Sequence, residues 1–420
     1  MNREERIQIF QDFIRIKTEN DNERELALYI QKLLEAHDIA SKLVTFREGR
    51  DSLIAEIQNG EGKTLAISGH MDVVDAGDPS AWTHDPYAAD IEDDILWGRG
   101  ASDMKSGLAA LVIAFIETKE RGNFKGTIRL IATVGEEVGE LGAGQLTKEG
   151  YMEGVDGLLI GEPCNLGVVY AHKGSLNYKV ISKGMAAHSS APEIGVNAVE
   201  NLSAAVTAIK KRAAEWKEAV HSDIFGQMDH SITVIKGGTQ VNSIPDYAEF
   251  QANVRTIPEK PNAEILKEIQ EILDELNAQK GFDLTLEVTA DQPPIQSHKD
   301  SALIQTVVDV VSGIPSLAPK AVVASMAEAM GIRADAKDLD PMTVKVSKDK
   351  IDALLTFRPI AIPGTTDAAQ FLRENADEVD FAVYGPGMPM LNHKIDERMP
   401  LAQYLDFIEA YNQIFDAYLS

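Results

Sequence analysis

Cysteine is almost absent from this 420-residue chain; Cys164 stands alone. A single thiol excludes an intrachain disulfide and any cysteine-rich metal site, so a metal would have to be held by His, Asp and Glu. Basic residues are scarce as well, 40 Lys and Arg against 66 Asp and Glu, giving a formal net charge of −26. That excludes nucleic acid as a partner, because phosphate binding needs a concentrated basic surface. The longest basic run, Lys210-Lys211-Arg212, falls on an expected helix and faces solvent. No apolar run approaches the roughly 20 residues of a membrane span, so no membrane partner is expected. The opening MNREERIQIFQDFIRIK alternates charge with apolar residues at helical spacing and lacks a signal-peptide core, which points to a cytoplasmic protein. Gly98–Gly107 lacks the glycine–lysine spacing of a phosphate loop.

What is present is a globular balance, 44% hydrophobic and 25% charged, at a length that suits two domains. After two helices, Ser52–Gln58 and Thr64–Ser68 read as strands, Met104–Lys119 as a helix ending at Gly122, and Thr127–Val134 and Gly157–Ile160 as buried strands. Strands alternating with helices indicate an open α/β sheet. From Ser175 the order changes. Strand Ser175–Lys183, helix Gly195–Ala214, strands Ser231–Lys236 and Ala248–Thr256, helix Ala263–Lys280 and strand Phe282–Thr289 form the split βαβ, ferredoxin-like order. The expected organisation is therefore residues 1–173 plus 291–420 as one α/β domain, with 174–290 inserted as an α+β domain.

Chemistry concentrates where the strands of the first domain end. Thr64–Ser68 runs into Gly69-His70-Met71-Asp72, Thr127–Val134 into Gly135-Glu136-Glu137, and Gly157–Ile160 into Gly161-Glu162-Pro163. Between the first two lies Trp97-Gly98-Arg99-Gly100-Ala101-Ser102-Asp103, directly before a helix. Ligands of open α/β sheets bind beyond the carboxyl ends of the strands. Each motif alone has an ordinary explanation: a capping aspartate, a solvated acidic pair, a turn glutamate. Together they would crowd one crevice with carboxylates that repel one another, unless divalent ions neutralise them.

GHMDVVDAGDPSAW, LWGRGASDMKSG, TVGEEVG and IGEP, in this order, resemble the co-catalytic zinc family of succinyl-diaminopimelate desuccinylases, acetylornithine deacetylases, aminoacylases and carboxypeptidase G. The likeness covers essentially the whole chain. AHKGSLNYKV, GMAAHSSAPEIGVNAVENL and GTQVNSIPDYAEFQANVR are most similar to the desuccinylase and deacetylase branch. The resemblance implies a three-layer αβα di-zinc catalytic domain of the phosphorylase/hydrolase-like kind, with a ferredoxin-like lid and dimerisation domain. It implies two divalent ions per subunit, Zn2+ with Co2+ or Mn2+ able to substitute, held by His70, Asp103 as the bridge, Glu137, Glu162 and His393. Asp72 would orient His70, Glu136 would be the general base, and the Asp103-Met104 peptide would be cis. His188, Asn242, Arg255 and the segment Gly364, Thr365, Thr366 and Asp367 would contact substrate, His188 reaching across a homodimer formed through the lid.

The implied reaction is metal-dependent hydrolysis of the amide of a small N-acyl amino acid, foremost N-succinyl-LL-2,6-diaminopimelate to succinate and LL-2,6-diaminopimelate. An acetylornithine-type deacetylase or a metallo-dipeptidase or carboxypeptidase would use the same machinery. A catalytically silent binding protein on the same fold is disfavoured, since such a descendant has no need of Glu136. The segment 313–362 is longer than compact family members require and is expected to add a helix and a hairpin near the substrate cleft. Cys164 reads as a small buried residue, and His84 as a loop residue outside the ligand set.

Overall fold

A computed structural model describes residues 1–19, 21–329 and 356–420 of the chain. They fall into two compact units: Met1–Tyr170 with Ser297–Ile360 and Thr366–Ser420, and Ala171–Gln296 with Ala361–Thr365.

The sheet of the first unit runs Ser41–Arg47, Arg50–Asn59, Gly126–Thr133, Thr64–His70, Gly157–Ile160, Asp380–Gly385, Cys164–His172. It is mixed. Gly126–Thr133, Thr64–His70, Gly157–Ile160 and Asp380–Gly385 pair in parallel, while Arg50–Asn59 and Cys164–His172 flank this block in antiparallel fashion. The parallel strands are the continuous apolar runs, buried on both faces as such sheets require. Helix Lys105–Arg121 packs on this block and is buried on every face through its first fourteen residues, which accounts for the unbroken apolar run from Gly107 to Ile116. It is joined there by Arg3–Arg15, started by a capping box between Asn2 and Glu5, and by Leu401–Tyr418. One contact sets the depth of the central helix: a Cβ on Gly107 would come within 1.9 Å of the Gly161 carbonyl oxygen. Only glycine lets the helix lie directly against the strand end that carries Glu162.

None of the described helices is long and apolar enough to cross a membrane. Within 313–362, a helix forms at Pro319–Ala329 and a strand at Pro359–Ile362, which pairs with Cys164–His172; residues 330–355, the rest of the segment for which a hairpin was expected, lie outside the described residues.

The second unit has an antiparallel sheet in the order Asp229–Gly237, Tyr247–Thr256, Gly174–Lys183, Leu284–Gln292. Strict alternation along Tyr247–Thr256 buries one face, and helices Ala198–Ala219 and Asn262–Asn277 pack with it around Trp216, Phe250 and Ile269. The first helix starts at Ala198, later than the sequence reading from Gly195, because Asn197 caps it by accepting from the amides of Val199 and Glu200.

Two histidines of this unit are held neutral. Burial pushes both His172 and His230 down to about 4, and His230 Nε2 lies 2.6 Å from the Tyr178 hydroxyl. The unfolded chain then binds more protons between pH 6.5 and about 4, so stability is lost as pH falls through that window. Each histidine accounts for on the order of 3 kcal/mol across it. Urea midpoints at pH 7 and 4.5 should therefore differ more in the native chain than in His230→Gln, which keeps an acceptor for Tyr178 but cannot be protonated. Equal differences would reject this account.

Candidate metal centre

Three of the strands that end at the site are neighbours running in parallel, so their carboxyl ends meet at one edge. His70 pairs with Thr133, and Ser68 with Ile160, in register. The residues that follow each strand, His70 itself, Glu136 and Glu137 after Thr133, and Glu162 after Ile160, therefore emerge side by side. Asp103 joins them from the loop before helix Lys105–Arg121, through an Asp103-Met104 peptide that is cis. Met104, rather than Asp103, occupies the cap position of that helix and makes no side-chain cap, which leaves the Asp103 carboxylate free to turn to the site. His393 arrives from the turn after Pro389–Leu391 with φ of 62°.

The geometry divides one carboxylate between two imidazoles. His70 Nε2 lies 3.3 Å from Asp103 Oδ1 and 3.2 Å from Glu162 Oε1, while His393 Nε2 lies 3.3 Å from Asp103 Oδ2 and 3.0 Å from Glu137 Oε2. Glu136 closes the group, its carboxylate within 4.8 Å of ligand atoms of His70 and Glu162. His70 Nδ1 lies 2.9 Å from the Asp72 carbonyl oxygen, which can only accept. A neutral His70 thus carries its proton on Nδ1 and turns a lone pair at Nε2 toward two carboxylate oxygens. Acceptor faces acceptor, and only a positive charge between them satisfies the arrangement.

The pKa values express the same demand. Burial opposes charge on His70, yet Glu162, Asp103 and Glu136 raise it well above the usual imidazole range. Asp103 and then Glu137 push His393 up to about 10. Burial disfavours the charged form of Asp103, but the two imidazoles outweigh it and hold the group below the usual carboxylate range. Burial raises Glu136 well above its ordinary value, with Glu162 and Glu137 adding to it, and pushes Glu162 up to about 7. Donor atoms 2.0–2.2 Å from one tetrahedral ion lie roughly 3.4 Å from each other. The observed separations of 3.0–3.3 Å, from two imidazoles and three carboxylates, fit a pair of divalent ions sharing Asp103.

Asp72 departs from the sequence expectation in an instructive way. Its side chain was expected to orient His70, but Oδ1 lies 3.7 Å from Nδ1 and the main-chain carbonyl makes the shorter contact. The buried carboxylate instead accepts from the amides of Glu136 and Glu137, each at 3.1 Å. Two adjacent amides in a turn make a better anion cradle than one ring edge.

Within the second unit, the substrate residues named from the sequence do not all lie together. His188 and Asn242 are neighbours in the second unit: Ala187–His188 pairs with Ser243–Ile244, and the Ser189 amide donates to the Asn242 carbonyl. Both are exposed, and His188 Nδ1 lies 2.7 Å from Ser190 Oγ. Arg255 stands apart from them at the far end of Tyr247–Thr256, opposite Ser175 and Asp229. Gly364 and Thr365 belong to the second unit. Thr366, in the first, is buried, and its hydroxyl accepts from the Ala368 amide.

Two further acids are buried: Asp367, named from the sequence only as a substrate contact, and Glu397, which sequence reasoning missed. Asp367 accepts from the Thr133 hydroxyl at 2.5 Å, and burial pushes it up to about 7. Glu397, fully buried four residues beyond His393, accepts from the amides of Gly100, Ser102 and Asp103 and from Arg99. Nothing in the string Lys-Ile-Asp-Glu-Arg distinguishes it from a solvated charge run.

Residues 66–417 match the model described as Peptidase family M20/M25/M40. A protein of Staphylococcus aureus named probable succinyl-diaminopimelate desuccinylase is 37% identical over 438 residues, covering 99% of this chain and 98% of its own length. Among solved structures, an M20-family metallo-carboxypeptidase of Sulfolobus solfataricus superposes with a TM-score of 0.72 at 17% identity, covering 100% and 99% of the two chains. A Bacillus subtilis protein described as a dinuclear metal-binding peptidase does so at 0.66 and 16%, covering 99% and 98%.

Proposed function

This chain is a metal-dependent amidohydrolase of peptidase family M20/M25/M40, and from that premise we propose that it removes the succinyl group from N-succinyl-LL-2,6-diaminopimelate in the cytoplasm, with zinc as its metal. The observation that carries the chemistry is the division of Asp103 between His70 and His393 beside Glu136. The choice of substrate is supported by the name of the Staphylococcus aureus relative.

In this reading His70, Asp103 and Glu162 would hold one ion, and Asp103, Glu137 and His393 the other. Bound there, the pair would supply positive charge to polarise an amide carbonyl and acidify water. Glu136 accepts the proton of the attacking water and returns it to the departing amine nitrogen. Asp72 fixes the turn that aims Glu136. His188, Asn242 and Arg255 bind substrate, and the lid pairs two chains into a homodimer.

The deciding experiment strips the protein with chelator, restores zinc, cobalt or manganese, confirms a dimeric mass by light scattering, and assays N-succinyl amino acids, N-acetyl amino acids and dipeptides. Succinate release far above acetate or dipeptide cleavage is expected. Preferential acetate release or dipeptide cleavage would move the substrate to the deacetylase or peptidase branch.

A further inference from the structure

Glu397 has no part in the chemistry above, yet its surroundings are built around it. It is completely buried, and both carboxylate oxygens are used: Oε1 accepts from the Ser102 amide at 2.7 Å and the Asp103 amide at 2.8 Å, Oε2 from the Gly100 amide at 3.1 Å and Arg99 Nη1 at 2.6 Å. Its own carbonyl accepts from the Gly98 amide. Five donors of one loop, residues 98–103, thus converge on one residue of another. A second stitch lies one position before His393: Ser102 Oγ donates to Asn392 Oδ1 at 3.0 Å while accepting from the Met388 amide at 2.8 Å. The two stitches bracket His393 at Asn392 and Glu397, and they end on Ser102 and Asp103.

We infer that Glu397 is a positioning residue that locks the His393 loop to the Asp103 loop and so builds the Glu137–Asp103–His393 half of the centre. This rests on the ligand assignment proposed above. The half needs such a lock because its imidazole comes from an exposed loop, with a His393 side chain 54% accessible, whereas His70 is 1% accessible and ends a central strand. His70 and Glu162 are held by sheet pairing and would keep their places if the loops parted. Glu397→Gln removes the charge and turns an amide N–H₂ toward donors, so at least two of the four side-chain contacts are lost or opposed.

The test is calorimetric titration of cobalt(II) into chelator-stripped wild type and Glu397→Gln, with circular dichroism and thermal melting as fold controls. Wild type should take up two ions. The variant should keep its fold, bind the second ion about 10- to 100-fold more weakly, the range for lost outer partners of metal ligands, and lose clearly less at the first, whose other two ligands stand on the sheet. Both ions binding as in wild type, or both weakened equally, overturns the inference. Should Glu397→Gln not fold, Glu397→Asp, which keeps the charge but is too short to reach all three amides, is titrated and judged by the same outcomes. A wild type that binds fewer than two ions would instead sink the ligand assignment itself, before any variant is considered.

Discussion

Glu136→Gln is expected to retain both ions and to lose about 10²- to 10⁴-fold in kcat, the range for removing a positioned general base. The substitution is nearly isosteric and leaves the turn alone, because Asp72 holds Glu136 through its backbone amide. The alternative role is concrete: Glu136 lies close enough to His70 and Glu162 to serve as a ligand. Elemental analysis separates the two. A base leaves two ions per chain in the variant; a ligand takes one away, and that outcome would reassign the residue. Retained turnover would end the general-base role outright.

Asp103→Asn is expected to be more damaging, because one side chain serves both imidazoles. An amide offers a single acceptor oxygen, so either His70 or His393 must face an N–H₂ group instead. The substitution also removes the negative charge that holds the two imidazoles together in the cation-free protein. Binding should weaken by at least about 100-fold at one site, beyond what loss of an outer partner costs, with turnover lost in parallel. The contrast with the previous variant is the informative part: ions kept without turnover at Glu136, ions and turnover lost together at Asp103. An Asp103→Asn protein still holding two ions after dialysis would show that the carboxylate does not bridge.

Much of this was legible in the sequence for a physical reason. A parallel strand buried on both faces leaves an apolar run, and the residue after it is delivered to a shared edge. Hence His70, Glu136, Glu137 and Glu162 could be placed together from GHMD, GEE and GEP, and the structure does place them together. The insert was legible because its half-buried sheet alternates, as along Tyr247–Thr256. What stayed hidden depends on pairing across long separations. Cys164–His172 was not read as a strand, because it joins the sheet against Asp380–Gly385, more than two hundred residues away. Glu397 meets its partners across almost three hundred residues, and an acid's burial is invisible in a charged string. Asp72 was rightly placed beside His70, but its carboxylate accepts from backbone amides, which no side-chain motif records.

That placement of Asp72 has a mechanical consequence. Its carbonyl holds the His70 ring and its carboxylate holds the Glu136–Glu137 turn, so the imidazole and the two carboxylates that follow are tied to one residue. A substitution that shifts any one of them drags the others along, and displacements near 1 Å already cost about 100-fold in rate. Changes of specificity in this protein therefore have to come from elsewhere in the chain, while this strand end stays as it is.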